Sequence, residues 1–109
     1  MTKNLDKEGL RSIAENYDLF FIDLWGVVHN GIKLHEKAIE TLVEIDKSNK
    51  KYVLLTNAPR PNSTVKNFLK KLGMNNKILE NVYTSGEAAL SYLKKNHLSE
   101  IFYHIGPPR

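Results

Sequence analysis

Two short stretches carry side chains whose types and positions suit chemistry: Asp23, at the end of the apolar run Leu-Phe-Phe-Ile, and Thr56-Asn57, at the end of Tyr-Val-Leu-Leu. A carboxylate at the tip of an apolar strand costs free energy to bury unless it has a partner or a task. Asp23 suits two tasks, attack on phosphorus as a nucleophile or ligation of Mg²⁺ as a hard oxygen donor. A structural role is equally open to it, because aspartate also caps the turn that follows it. The Thr56 hydroxyl, with backbone N–H groups leading towards a helix, would form a phosphate cradle. The plain alternative is a Thr/Asn loop that satisfies its own backbone. Each signal is weak alone. On consecutive strands of one sheet they strengthen each other, because ligands in open α/β sheets bind at the carboxyl ends of the strands.

The elements that must hold these residues follow from hydrophobic period. Residues 5–17 read as one amphipathic helix, with Leu10, Ile13, Ala14 and Tyr17 on a single face. Residues 18–25 are apolar on both alternating faces, the pattern of a strand covered by helices on two sides. Gly26 ends that run, and residues 27–34 read as a loop or tight hairpin. A helix follows over 35–48 through Ala38, Ile39, Leu42, Val43 and Ile45, then a second buried strand over 52–55. Ala58-Pro59-Arg60-Pro61 is a rigid loop, and Asn62 or Ser63 is placed to cap the next helix. Val65, Phe68, Leu69 and Leu72 form that helix's stripe, and Gly73 sits where a helix C-terminus wants a glycine. A short third strand is expected over 81–84, a helix from Ser85 or Gly86 to Asn96, and a fourth strand over 101–105. Alternation of helix and strand predicts an α/β protein, Rossmann-like, with a mainly parallel sheet flanked by helices.

Composition removes several function classes. With 109 residues, 41% hydrophobic and 26% charged, the chain suits one folded domain. Leu19 to Ile22 is its longest uninterrupted apolar run, far short of the roughly 18 residues of a membrane span. No apolar stretch follows Lys3, which argues against a secretory signal. There is no cysteine, hence neither disulfide nor thiolate metal site. A cytoplasmic location and no membrane partner are the resulting expectations. The net charge of +4 is unevenly spread: residues 1–56 hold 8 basic and 9 acidic side chains, residues 57–109 hold 8 and 3. No basic run exceeds two residues and no aromatic platform interleaves with one, so nucleic acid is not the expected partner.

The quoted residues carry a family resemblance. Phe21-Ile22-Asp23-Leu24-Trp25-Gly26-Val27-Val28-His29-Asn30-Gly31, then Leu54-Leu55-Thr56-Asn57-Ala58-Pro59-Arg60, resembles the haloacid-dehalogenase-like (HAD) hydrolases, nearest their class IIA phosphatase branch. Tyr83-Thr84-Ser85-Gly86-Glu87-Ala88-Ala89 is similar to a later stretch of that branch. The resemblance implies phosphate-ester hydrolysis of a small phosphorylated metabolite through an aspartyl-phosphate on Asp23. It implies a Mg²⁺ cofactor held by the Asp23 carboxylate and the Trp25 backbone carbonyl, with Thr56 and Asn57 binding the phosphoryl group. Trp25 stands where the family usually has an acid/base aspartate; its carbonyl survives the change and the proton donor does not.

The resemblance also implies a core larger than residues 1–109, which on this view are a partial HAD-like core, with 87–109 either core or the opening of a cap. The family's charge-neutralising lysine and its later acidic pair have no counterpart here, and Lys94 and Lys95 match neither. Phosphoryl transfer depends on charge neutralisation and positioning, so weak or no activity of the chain alone is expected. A non-catalytic role with a C-terminal partner chain, or a vestigial product, is the alternative. Leu19 to Ile22 would become an exposed apolar edge inviting self-association or such a partner. His29 and Asn30 are expected in a surface turn over the site. His35, His97 and His104 lack metal-ligand spacing, Ser85-Gly86 reads as a helix start, and Gly106-Pro107-Pro108 as a hinge or loop.

Overall fold

Strands form at three of the apolar runs; two end in a threonine and the first is followed directly by Asp23, all at the same edge of the sheet. In the computed structural model, which describes residues 4–108, the elements are α1 (Leu5–Glu8), α2 (Arg11–Ala14), β1 (Leu19–Ile22), α3 (Glu36–Lys47), β2 (Lys51–Thr56), α4 (Asn62–Lys71), α5 (Asn76–Leu79), β3 (Val82–Thr84) and α6 (Ser85–Asn96). Residues 1–3, within the stretch read above as unlike a secretory signal, and Arg109 lie outside the described residues. The strands are parallel in the order β1-β2-β3, with Ile22 opposite Leu54, Leu54 opposite Val82, and Thr56 opposite Thr84.

Both crossovers advance in one direction across the sheet. Right-handed connections then set α3 and α4 on the same face. The core forms there: Tyr52, Leu54 and Val82 from the strands meet Leu42 and Ile45 of α3, Leu69 of α4, and Ile78 and Leu79 of α5. Leu24 and Val28, just beyond β1, are buried in the same cluster. The opposite face is bare. Leu19, Phe21, Leu55 and Tyr83 are exposed, Phe21 by 68%. The expected two-sided burial of the first strand is therefore not found, because no described crossover lies over that face. β1 is also an edge strand among the described residues.

Other expectations need correction. The helix expected over 5–17 is two short ones, broken at Gly9, which adopts φ 72 and donates its N–H to the Leu5 carbonyl. The strand expected over 101–105 does not form; Ile101 is fully exposed, with no strand edge beside it. Neither Asn62 nor Ser63 caps α4, whose N-cap is Pro61. Helix α5, unforeseen from periodicity, begins where the Asn75 side chain accepts the Lys77 N–H. Gly73 behaves as expected: at φ 93 it ends α4, and Met74 donates to the Leu69 carbonyl. Among the described residues no helix is long and apolar enough to cross a membrane.

Candidate functional site

Asp23 directly follows the last residue of β1, and Thr56 is the last residue of β2. Since those strands run parallel, both side chains stand at the carboxyl edge of the sheet. Asp23 is exposed, and its Oδ1 accepts the Leu24 N–H at 2.8 Å. One carboxylate oxygen thus serves the turn and the other is left for a ligand. The Thr56 hydroxyl accepts the Ala58 N–H at 3.3 Å. The structural roles weighed for both residues are present, and neither uses up its donor and acceptor capacity.

Residues 24–34 fold back over this edge. Leu24 and Val28 drop into the core, and the Val28 and His29 N–H groups both donate to the Leu24 carbonyl, at 2.9 and 3.2 Å. Gly26 (φ 79) donates to the His29 carbonyl, closing the turn. Trp25 is thereby thrown outward and is 66% exposed. Its ring lies over Gly31, where the positive φ of 88 favours glycine and a Cβ, 2.5 Å from the indole, would push the ring aside.

His29 is not the surface residue expected from its loop; it is 4% exposed. Its ring meets Trp25 at 5.4 Å and Phe68 at 5.5 Å between centroids, both edge to face. Its Nδ1 accepts the Gly31 N–H at 3.0 Å, which puts the proton of the neutral ring on Nε2. Burial lowers its pKa from the usual value, the nearby His35 adds to that, and the Asp23 carboxylate opposes it. Asn30 builds the turn, its Oδ1 accepting the Ile32 and Lys33 N–H groups.

A cavity of about 280 Å³ opens beside these groups, lined by Trp25, His29, Thr56, Asn57 and Phe68 together with small apolar side chains. Trp25, Thr56 and Asn57 therefore share one concavity; Asp23 is not among its lining residues and stands at the same sheet edge, one residue before Leu24, which does line it. The loop that supplies Asn57 and Ala58 is held from β3 and α6. Ser85 Oγ and the Gly86 N–H donate to the Ala58 carbonyl at 3.0 and 3.1 Å. The Thr84 hydroxyl donates to the Arg60 carbonyl, and the Thr84 N–H to Asn62 Oδ1 at 2.9 Å. Glu87 accepts the Asn62 N–H at 2.8 Å. That carboxylate occupies the start of α4, so the cradle for an anion is limited to the Thr56–Ala58 turn. Gly31, Phe68 and this clamp were not singled out from the sequence as parts of the site. The block Thr84-Ser85-Gly86-Glu87 was the signal for the clamp.

Mg²⁺ would be held by the Asp23 carboxylate and the Trp25 carbonyl. No hydrogen bond within the described residues uses that carbonyl. Two hard oxygens fit an ion that keeps several waters and binds through few protein groups. No group of three or more His, Cys, Asp or Glu gathers among the described residues to add to them.

The family model for haloacid dehalogenase-like hydrolases matches residues 20–109. The chain belongs to the haloacid dehalogenase-like hydrolase family. A hydrolase of that family from Brucella suis is 32% identical with a TM-score of 0.71, over 80% of this chain and 32% of its own. Glycerol phosphate phosphatase from Mycobacterium tuberculosis, solved in complex with magnesium, is 29% identical with a TM-score of 0.59, over 77% of this chain and 25% of its own. 4-Nitrophenylphosphatase from Thermotoga maritima shares the fold at 23% identity and a TM-score of 0.64, over 78% of this chain and 33% of its own. The chain thus spans a quarter to a third of the length of these solved relatives. None of the curated proteins matches its sequence.

Proposed function

We propose that this chain carries the nucleophile and the phosphoryl-holding turn of a phosphate-ester hydrolase acting on a small phosphorylated metabolite. The observation that carries this is the placement of Asp23 at the same carboxyl edge of the sheet as Thr56 and Asn57, the latter two lining a cavity there. Family membership and the glycerol phosphate phosphatase at 29% identity support it. In this scheme an Asp23 carboxylate oxygen bonds to phosphorus as the bond to the ester oxygen breaks. The departing oxygen takes a proton from water, because the Trp25 indole N–H is a hydrogen-bond donor that does not ionise. Water then attacks phosphorus, the Asp23–phosphorus bond breaks, and phosphate leaves with the carboxylate restored. The Thr56 hydroxyl and the Asn57 amide hold the phosphoryl oxygens throughout. Bound Mg²⁺ would supply neutralisation of the phosphoryl charge.

The cavity lining contains no lysine or arginine, so turnover by this chain alone is expected to be slow. Mg²⁺-dependent phosphate release from p-nitrophenyl phosphate tests the scheme. It should be measurable above background and fall to background in Asp23→Asn; equal rates in both proteins would refute it.

A second reading is favoured by the bare sheet face. The accessible surface is 8721 Å², against roughly 6,200 Å² for a compact monomer of this mass. The excess, on the order of 2,500 Å², is shared between the bare sheet face and the exposed end over residues 98–108, where Leu98, Ile101, Tyr103 and Ile105 are 82% exposed or more. In this reading further strands and helices, supplied by a partner segment, pair with β1 and cover Phe21 and Leu55. Size measurement in solution tests it: a complex or self-associated species supports it, and a stable monodisperse monomer opposes it.

A further inference from the structure

We infer that His29 is a third phosphoryl-binding residue: its Nε2–H donates to an oxygen of the phosphoryl group held by Thr56 and Asn57. The inference rests on the phosphatase reading above and adds a residue to its site. Two features carry it, an unspent donor on a buried ring and the groups that share its cavity.

The ring is held so that only one nitrogen is free. His29 is 4% exposed and pinned edge to face between Trp25 and Phe68. Its Nδ1 accepts the Gly31 N–H at 3.0 Å, so a proton on that nitrogen would set donor against donor. Burial, which disfavours the charged ring, acts in the same direction. The proton therefore sits on Nε2, and the fixed tautomer has one hydrogen bond to give. Among the described residues Nε2 has no hydrogen-bond partner, and it is not sealed from open space. The open space beside it is the cavity, which His29 lines. A buried N–H without an acceptor is costly, and in a native protein it calls for a water or a ligand.

The cavity is rich in donors and poor in acceptors. The Thr56 hydroxyl accepts the Ala58 N–H, and its own proton is unspent; so is the Asn57 backbone N–H. No carboxylate lines the cavity. Three unspent donors thus belong to one lining that holds no ionised acceptor. Phosphoryl oxygens only accept, and N–H bonds to a charged oxygen are the stronger kind. Lysine and arginine are also missing from the lining, so an extra donor carries weight that a cation would otherwise carry. Asp23 stands outside the lining, yet its carboxylate is near enough to oppose the lowering of the His29 pKa. Nucleophile and donor are therefore neighbours at this edge. A neutral N–H fixed in advance gives its bond with no change of charge at His29 and little reorganisation.

Inorganic phosphate is the probe, titrated with Mg²⁺ into the intact, isotope-labelled chain at about pH 7.5, above the ordinary histidine range. The imidazole nitrogens are followed by NMR, with His29 assigned through its contacts to the rings of Trp25 and Phe68. Before phosphate is added, His29 should carry its proton on Nε2 alone. Phosphate should then move Nε2 and its proton together with the backbone amides of Thr56 and Asn57. The dissociation constant of phosphate should rise about tenfold in His29→Leu. In His29→Gln, whose amide N–H can stand near the place of Nε2, it should rise no more than about threefold. Thr56 and Asn57 amides that move while Nε2 does not, a proton on Nδ1, an unchanged affinity in His29→Leu, or equal weakening in both variants would overturn the role of His29 and leave the phosphatase reading standing. Phosphate that moves none of these groups would overturn the phosphoryl site itself, and both proposals with it. The NMR signals come from the unaltered chain, so poor folding of a variant does not blunt them.

Discussion

Gly86→Ala probes how firmly the phosphoryl-holding loop is fixed. A Cβ built at Gly86 lies 2.3 Å from the Arg60 nitrogen, 2.5 Å from its carbonyl oxygen and 2.6 Å from its carbonyl carbon. All three are backbone atoms, so no side chain can swing aside. To reach an ordinary contact of about 3.5 Å the loop must retreat by roughly 1 Å. That retreat pulls on the bonds from Gly86 and Ser85 to Ala58, from Thr84 to Arg60 and Asn62, and from Asn62 to Glu87. Overpacking of this kind costs about 1–3 kcal/mol, and each strained or broken bond about 0.5–1.5 kcal/mol. Alanine returns about 1 kcal/mol through its better helix propensity in α6. The net expectation is a loss of about 2–3 kcal/mol, a fall in Tm of roughly 10–20 °C for a chain of this size. Urea and thermal unfolding followed by circular dichroism measure it. A Gly86→Ala protein within about 0.5 kcal/mol of the parent would refute the clamp. Should that variant not fold, Thr84→Val tests the same clamp: it removes the hydroxyl that donates to the Arg60 carbonyl and accepts the Glu87 N–H, and should cost about 1–3 kcal/mol, more than Thr84→Ser, which keeps the hydroxyl.

Two further outcomes are expected. His29 has its pKa lowered in the folded state, first by burial, so as pH falls through 6.5 the unfolded chain gains the proton before the folded one does. Stability is then fullest above that pH and declines below it; melting at about pH 5.5 should lie below that at about pH 7.5, and His29→Gln should remove most of its share of the difference. Phe21→Glu alters only the bare face, so the monomer should keep its stability within about 0.5 kcal/mol while light scattering shows less self-association. A large loss of stability would mean that this face is packed.

The polar strand ends were legible in the sequence because a short apolar run ending in Asp23, or in Thr56, is a local signal. Helix α3 and its core residues Leu42 and Ile45 were legible for the same reason, since 3.6-residue period needs no knowledge of partners. What failed depended on neighbours. Phe21 is as apolar as Phe20, and only the side on which α3 and α4 cross decides that Phe20 packs and Phe21 does not. Ile101 to Ile105 has strand-forming residues but no edge to pair with. His29 reads as a loop histidine, and its burial follows from Leu24 and Val28 pulling the loop into the core. Asn62 looks like a helix cap, yet its side chain is taken by the Thr84 N–H, a contact spanning 22 residues. Gly9 was passed over because a single glycine in an amphipathic stretch breaks a helix only when its φ turns positive.

Attack by Asp23 on phosphorus is the step on which the functional account rests, and covalent capture tests it most directly. The chain is incubated with Mg²⁺ and acetyl phosphate, quenched in acid, digested, and its peptides weighed. A phosphoryl group on the peptide containing Asp23, absent from Asp23→Asn and lost on incubation in water, is the expected result. A wild-type chain that never acquires the group while still releasing phosphate, or one that acquires it equally in Asp23→Asn, would contradict the account.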